Sequence, residues 1–414
     1  MKNIFKKSEN KKSSFHIFGL SEKITNALIE KGYENPTPIQ EKVIPLILEK
    51  NDVLAAAQTG TGKTAGFTLP ILELLQQNKK ETNKKIKALI LSPTRELASQ
   101  INASIADYSK HLSISSFTVF GGVNINPQKT KLKKGVDILV ATPGRLLDLY
   151  HQNYINFQHL EVVVLDEADR MLDMGFIHDV KKILSLLPKS RQTLLFSATF
   201  SNDILKLSTQ FLKNPKEVSV TPKNSTVSSI KQSIYKVRKE QKSDLLCQLI
   251  SKNNWYQVLI FTQTKHKANK LSKILEKNGI SSSAIHGNKS QNARTKALEE
   301  FKSGKLQTLV ATDIASRGLD INELPNVINY ELPHVAEDYV HRIGRTGRAG
   351  AKGEAISLIS PEETKQLSSI QRLIKKDLPC ESLTEFKLSD REESIKQFRP
   401  KRNFKRNRRK PKDQ

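Results

Sequence analysis

Residues 57–64 read Ala57-Gln58-Thr59-Gly60-Thr61-Gly62-Lys63-Thr64: glycines, a lysine and hydroxyls in an order suited to holding a polyphosphate. The run follows an apolar segment, 53–57, and opens a helical pattern over 63–77. Its backbone N–H groups therefore stand at a helix N-terminus, where unsatisfied donors and the helix dipole favour anions. Gly60 and Gly62 let the chain crowd around phosphate oxygens. Lys63 is placed for the β- and γ-phosphates, and the Thr64 hydroxyl for Mg2+. The run departs from the usual phosphate-loop pattern at its first position, where Ala57 stands in place of glycine.

A second constellation is Val162-Val163-Val164-Leu165-Asp166-Glu167-Ala168-Asp169. An apolar strand delivers carboxylates at its carboxyl end, where open α/β sheets bind ligands. Asp166 is placed to hold Mg2+ through its water shell, and Glu167 to orient and deprotonate an attacking water. Alone, such a cluster reads as a solvated cap; beside Lys63 and Thr64 it reads as catalytic. A third element is His341-Arg342-Ile343-Gly344-Arg345-Thr346-Gly347-Arg348, three arginines at spacing three. Planar guanidinium groups suit the charge that builds on a transferring phosphoryl group. For any one of these arginines, the chemistry leaves phosphate contact and a simple RNA-touching loop equally open.

These residues need a scaffold that brings distant segments together. Short apolar runs at 53–57, 88–91, 138–141, 162–165 and 193–197 read as buried parallel strands, too short for helices and bounded by Gly, Pro, Asp or Ser. Helix-length segments such as 63–77 and 95–108 lie between them, which argues for βαβ units. The pattern lapses into Pro, Ser, Thr and Lys around 217–230, a linker. It restarts with strands at 258–261, 282–286, 308–311 and 327–330. The expected fold is α/β, with a first domain over 15–216 and a second over 231–370. A basic segment, 1–14, precedes them, and an extension, 371–414, follows and ends in a disordered basic tail.

Composition agrees with two domains, since single cores stop growing at roughly 250–300 residues and this chain has 414. The formal net charge of +26 points to a polyanionic partner, because each neutralised phosphate releases a counterion. A lysine-biased proteome is the plainer alternative. The charge is concentrated at the ends: residues 1–14 and 395–414 together carry +13. In the second of these, Phe398 and Phe404 are interleaved with the cations, which suits stacking as well as charge. Cys247 and Cys380 are far apart, without zinc-site or disulfide-framework spacing. No run approaches the roughly 18 apolar residues of a membrane span, and the N-terminus lacks the apolar core of a signal peptide. A soluble, cytoplasmic protein with no membrane partner is expected.

In this order the motifs resemble the DEAD-box family of superfamily 2 RNA helicases, over about residues 15–360. Asp166-Glu167-Ala168-Asp169 is similar to the motif that names the family. Phe15 and the segment from Gly32 to Gln40 resemble its adenine-reading element, which implies that Gln40 hydrogen-bonds adenine and Tyr33 stacks on the ring. The likeness implies two tandem RecA-like domains, ATP and Mg2+ as the bound groups, and RNA held through its backbone without reading sequence. It assigns Pro93, Thr94, Arg95, Gly122, Thr142 and Arg145 in the first domain, and Arg294 and Thr312 in the second, to RNA. It assigns Asp320 to the ATP ribose, Arg345 and Arg348 to the γ-phosphate, and Ser197, Thr199 and Asp169 to coupling between nucleotide and RNA. By the same likeness ATP and RNA stabilise a closed state whose bent RNA strand an A-form duplex cannot share, and hydrolysis reopens it.

The activity so implied is RNA-stimulated ATP hydrolysis with separation of short duplexes. A nucleotide-gated RNA clamp acting as an assembly factor is the nearest alternative, and a DNA helicase of the wider superfamily a more distant one. The short tails and compact core resemble bacterial RhlE-type members. Ribosome assembly, cold adaptation and RNA decay are all compatible settings, and no residue chooses among them.

Overall fold

The structure is a computed structural model and describes residues 14–57, 60–77, 84–198, 200–220, 230–316, 321, 324–347 and 353–388, with backbone alone at 314 and 316. Two parallel sheets organise these residues. The first runs β1 (Val53–Ala56), β2 (Ala88–Leu91), β3 (Ser116–Val119), β4 (Ile138–Ala141), β5 (Val162–Leu165), β6 (Gln192–Ser197) and β7 (Lys216–Ser219), in spatial order 3-4-2-5-6-1-7. The second holds β8 (Ile230–Lys236), β9 (Val258–Thr262), β10 (Ser282–Ile285), β11 (Thr308–Thr312), β12 (Asn326–Asn329) and β13 (Gly353–Ile359), in order 10-11-9-12-13-8. Two RecA-like α/β domains are thus the architecture.

The apolar runs of the central strands, such as β2, β4, β5 and β9, are continuous because those strands are buried on both faces. Val53 and Ala55 enter one core cluster and Leu54 the opposite one; Val162 and Val164 face one side, Val163 and Leu165 the other. Val258 and Ile260 likewise oppose Leu259 and Phe261 in the second sheet. Each fully buried Leu, Ile or Val contributes roughly 1.5–3 kcal/mol relative to exposure, so a slip of one residue would disturb two cores at once.

Several elements differ from the sequence expectation. Residues 217–219 were expected to begin the linker, yet they sit in β7, paired with β1 (Leu54 opposite Glu217). Only Val218 of that strand is buried, so its sequence carries little apolar signal. Residues 371–388 were expected to lie beyond the second domain. They instead finish the helix Thr364–Ile374 and pack on the sheet: Ile234 N donates to Pro379 O at 2.9 Å, and Phe386 meets Tyr235 edge-on at 5.8 Å. The basic segments 1–13 and 389–414 lie outside the described residues. Among the described residues no helix is long and apolar enough to cross a membrane.

Because all strands of a sheet run the same way, their carboxyl ends share one edge. Residues 57–64 follow β1, 93–98 follow β2, 121–122 follow β3, 142–145 follow β4, 166–169 follow β5, and 197–198 close β6. The sheet collects six sequence motifs on a single rim.

Candidate active site

The phosphate loop leaves β1 with Ala57 N donating to Ser197 O at 3.0 Å. Gln58 and Thr59 lie outside the described residues. Gly60 and Gly62 have φ of 82° and 92°, a region L residues avoid, and the helix Lys63–Gln77 starts directly after. Gln40, on the helix Pro38–Leu48, is 3% exposed and holds this loop: its Nε2 donates to Gly62 O at 3.0 Å, and its Oε1 accepts from Thr37 N at 2.9 Å. Tyr33 lies beside Tyr108, hydroxyl to hydroxyl at 3.2 Å. Tyr33, Gln40, Gly62, Lys63 and Thr64 line a cavity of about 670 Å³, which Asp166, Glu167 and, from the second sheet, Arg345 also reach.

Lys63 is buried, and its Nζ has no hydrogen-bond partner among the described residues. β6 lies between β1 and β5, so the roots of the lysine and acidic segments are two strand spacings apart, roughly 10 Å. Side chains close that gap. Burial pushes the Asp166 carboxyl up to about 7; the Lys63 charge opposes this, and Glu167 adds to it. Asp166 Oδ1 accepts from Glu167 N at 3.0 Å. Glu167 itself is left-handed (φ 52°, ψ 51°) and 8% exposed. A non-glycine residue held there costs on the order of 1–3 kcal/mol, a strain that gathers at functional positions.

An orphaned buried ammonium and a desolvated carboxylate fit an anion and a cation held together. Among the described residues no three His, Cys, Asp or Glu side chains converge as a metal cage. Mg2+ usually keeps several waters and binds through one or two carboxylates plus phosphate oxygens, which Asp166 and Thr64 could support.

Asp169 ties the acidic turn to β6: its Oδ2 accepts from Ala198 N at 3.1 Å, and its Oδ1 from Arg170 N at 3.0 Å. Ser197 is fully buried as the last residue of β6, and Thr199 lies outside the described residues.

The second sheet separates its arginines by their partners. Arg342, 2% exposed, donates to both oxygens of Asp313 (2.6 and 2.7 Å), to Asn329 Oδ1 and to Glu331 O, and stacks over Phe261 at 5.0 Å. It is a structural anchor. Arg345, one turn on, has its backbone fixed on both sides: its N donates to Arg342 O, and its O accepts from Leu324 N. It lines both the large cavity and a narrower pocket with Lys63 and Glu167. Arg348 and Asp320 lie outside the described residues.

The residues expected to meet RNA fall on the rim. Pro93 is buried, and Thr94 caps the helix Arg95–Tyr108 by accepting from Leu97 N at 3.3 Å. Gly122 has φ 75°, and a Cβ there would come within 2.1 Å of the Arg95 guanidinium, so only glycine lets Arg95 lie against this turn. Arg145 donates to Val123 O at 3.1 Å on the same turn, while Thr142 is buried at the start of the helix Pro143–His151. Arg294, on the helix Gln291–Lys302 of the other domain, pairs with Glu96 at 3.0 Å; Gln291 joins them, donating to Glu96 at 2.9 Å and accepting from Arg95 at 3.5 Å. Thr312 is half-buried at the end of β11. Glu96, Arg170 and Asp338 all bridge the two domains, and neither residue type nor spacing marks Arg170 or Asp338 for that role.

Two family models match the chain: DEAD/DEAH box helicase over residues 37–207, and helicase conserved C-terminal domain over residues 241–350. The chain is 42% identical over 367 residues to the DEAD-box ATP-dependent RNA helicase RhpA of Helicobacter pylori, covering 89% of this chain and 74% of that protein. It is 43% identical over 366 residues to the ATP-dependent RNA helicase CshA of Listeria monocytogenes, covering 88% and 69%. Similar solved structures include S. cerevisiae Dbp5 bound to RNA and ADP BeF3 (30% identity, TM-score 0.78, 89% of this chain and 95% of that one). Mss116p bound to ssRNA and AMP-PNP is another (29% identity, TM-score 0.81, 93% and 82%).

Proposed function

The chain belongs to the DEAD-box ATP-dependent RNA helicase family, and we propose that it hydrolyses ATP in the cleft between its two sheets and uses the cycle to separate short RNA duplexes or remodel RNA–protein complexes. One observation carries this reading: Lys63 and Glu167 from the first sheet and Arg345 from the second line a single cavity. Relatives that match over 74% and 69% of their own length are named ATP-dependent RNA helicases, and two similar structures hold RNA with a nucleotide or its analogue.

In this mechanism Gln40 faces the adenine while it holds Gly62, so base recognition reaches the phosphate loop through one side chain. Lys63 meets the β- and γ-phosphates. Mg2+, held by Asp166 and Thr64, would neutralise phosphate charge when bound. Glu167 orients the attacking water and takes its proton. Arg345 meets the charge that develops on the transferring phosphoryl group from the opposite side, and Arg348 is proposed to join it. Asp320 is proposed to hold the ribose. Asp169, through Ala198 N, relays changes at the acidic turn to residues 197–199. Pro93, Thr94, Arg95, Gly122, Thr142, Arg145, Arg294 and Thr312 are proposed to follow an RNA backbone across both domains. Contacts of that kind position without specifying.

Steady-state ATPase measured with and without single-stranded RNA, beside a duplex-separation assay, tests the proposal. RNA-stimulated hydrolysis with strand release is the expected result. Hydrolysis without strand release would make the chain a clamp, and DNA-only stimulation would overturn the choice of substrate.

A further inference from the structure

We propose that Arg170 and Asp338 form the latch that registers the acidic turn against the arginine-bearing helix, so that Arg170 is a positioning residue for hydrolysis; this rests on the function proposed above. Arg170 directly follows the four acidic-motif residues, on the helix Ala168–Asp173. Its Nη1 donates to Asp338 Oδ1 at 2.9 Å, across the gap between the sheets. The side chains are 7% and 14% exposed, so water screens the pair weakly. Both line the narrow pocket that contains Lys63, Glu167 and Arg345.

Each end of the latch is rigid where it meets the chemistry. On one side, Arg170 N donates to Asp169 Oδ1, and Asp169 holds Ala198 N with its other oxygen. On the other, Asp338 stands in the first turn of the helix Ala336–Ile343. Arg342 follows four residues later, on the same helix face, and is locked to Asp313, Asn329 and Glu331. Arg345 leaves the end of that helix with its backbone bonded to Arg342 and Leu324. Moving Asp338 relative to Arg170 therefore moves Arg345 relative to Glu167.

Asp173, one turn along from Arg170 and 3.3 Å from the same Nη1, gives the guanidinium a second carboxylate on its own domain. When the domains part, Arg170 keeps a partner. The latch can therefore release without stranding the Arg170 charge, as a reversible cycle requires. His341 Nδ1, at 3.8 Å from Asp338 Oδ1, is too distant for a hydrogen bond.

A double-mutant cycle on the full chain tests this, using Arg170→Gln, Asp338→Asn and the pair. Expected is a fall of about 30-fold or more in RNA-stimulated kcat/KM for each single variant. The pair should be no slower than the worse single. Arg170→Lys should keep most of the rate. ADP affinity without RNA, where the γ-phosphate proposed for Arg345 is missing, should stay within about three-fold of the parent. Singles at the parental rate, losses that multiply in the pair, or a matching loss of RNA-free ADP affinity would each overturn the latch. A parent chain that lacks RNA-stimulated turnover would fail the underlying function and take the latch with it. A parent that turns over while the cycle is additive fails the latch alone.

Discussion

Substituting Gly62 by alanine strikes where nucleotide recognition meets the phosphate loop, and its cost follows from two features of the structure. Gly62 has φ 92°, and a Cβ there would lie 2.5 Å from Gln40 Nε2. Holding an L residue in left-handed backbone costs roughly 1–2 kcal/mol. Displacing the Gln40 amide removes two hydrogen bonds, to Gly62 O and from Thr37 N, each worth about 1 kcal/mol net. The sum is about 3 kcal/mol. A loop with solvent on one side relaxes out of the strain when empty and must re-enter it to bind phosphate. The cost should therefore appear as lost affinity, about 100-fold, and only weakly as lost stability. Titration with a fluorescent ATP analogue measures the first, and thermal unfolding without nucleotide the second. Gly304→Ala is the control: its φ is 76° with open space around it, so it should cost stability and leave nucleotide affinity alone. Affinity within two-fold of the parent for Gly62→Ala would refute the reasoning.

Other consequences follow from the acidic turn. Burial holds the Asp166 carboxyl at about 7 against about 4 in an unfolded chain. The unfolded state therefore loses its proton first as pH rises. The folded state carries a penalty that is absent below about pH 4, grows up to about 7 and is constant above. In chelator and without nucleotide, Asp166→Asn should raise the melting temperature by roughly 5–10 °C at pH 8. The gain should shrink toward nothing at pH 4, and a pH-independent gain in scanning fluorimetry would contradict the assigned cause. Glu167→Gln keeps the side-chain shape without the base, so it should retain ATP and RNA binding while single-turnover hydrolysis falls by about 100-fold or more. Hydrolysis at the parental rate would assign the base elsewhere.

Much of the scaffold is readable in the residues because parallel strands buried on both faces leave unbroken apolar runs, as at Val162–Leu165. The helices Lys63–Gln77 and Arg95–Tyr108 begin where glycines or a capping threonine permit. Edge strands escape this signal. In β7 only Val218 is buried, and β3 is half-exposed along most of its length; partners far along the chain, not local pattern, make them strands. The same limit applies at the site. Lys63, Asp166 and Glu167 declare themselves by type and context, whereas spacing alone cannot separate Arg342 from Arg345. Only the Asp313 carboxylate and the Phe261 ring reveal that Arg342 is an anchor. Arg170 and Asp338 lie 168 positions apart, and no periodicity marks such a pair. The packing of 371–388 escapes notice for a similar reason, since Leu383, Phe386 and Leu388 are too sparse to form a pattern by themselves.

If the nucleotide is gripped from both domains, Arg345→Ala breaks that grip from the side farthest from the phosphate loop. Single-turnover ATP hydrolysis with saturating RNA should fall by about 1000-fold or more, while RNA-free ADP affinity stays near the parental value. Hydrolysis at an undiminished rate in that variant would contradict the two-sided site.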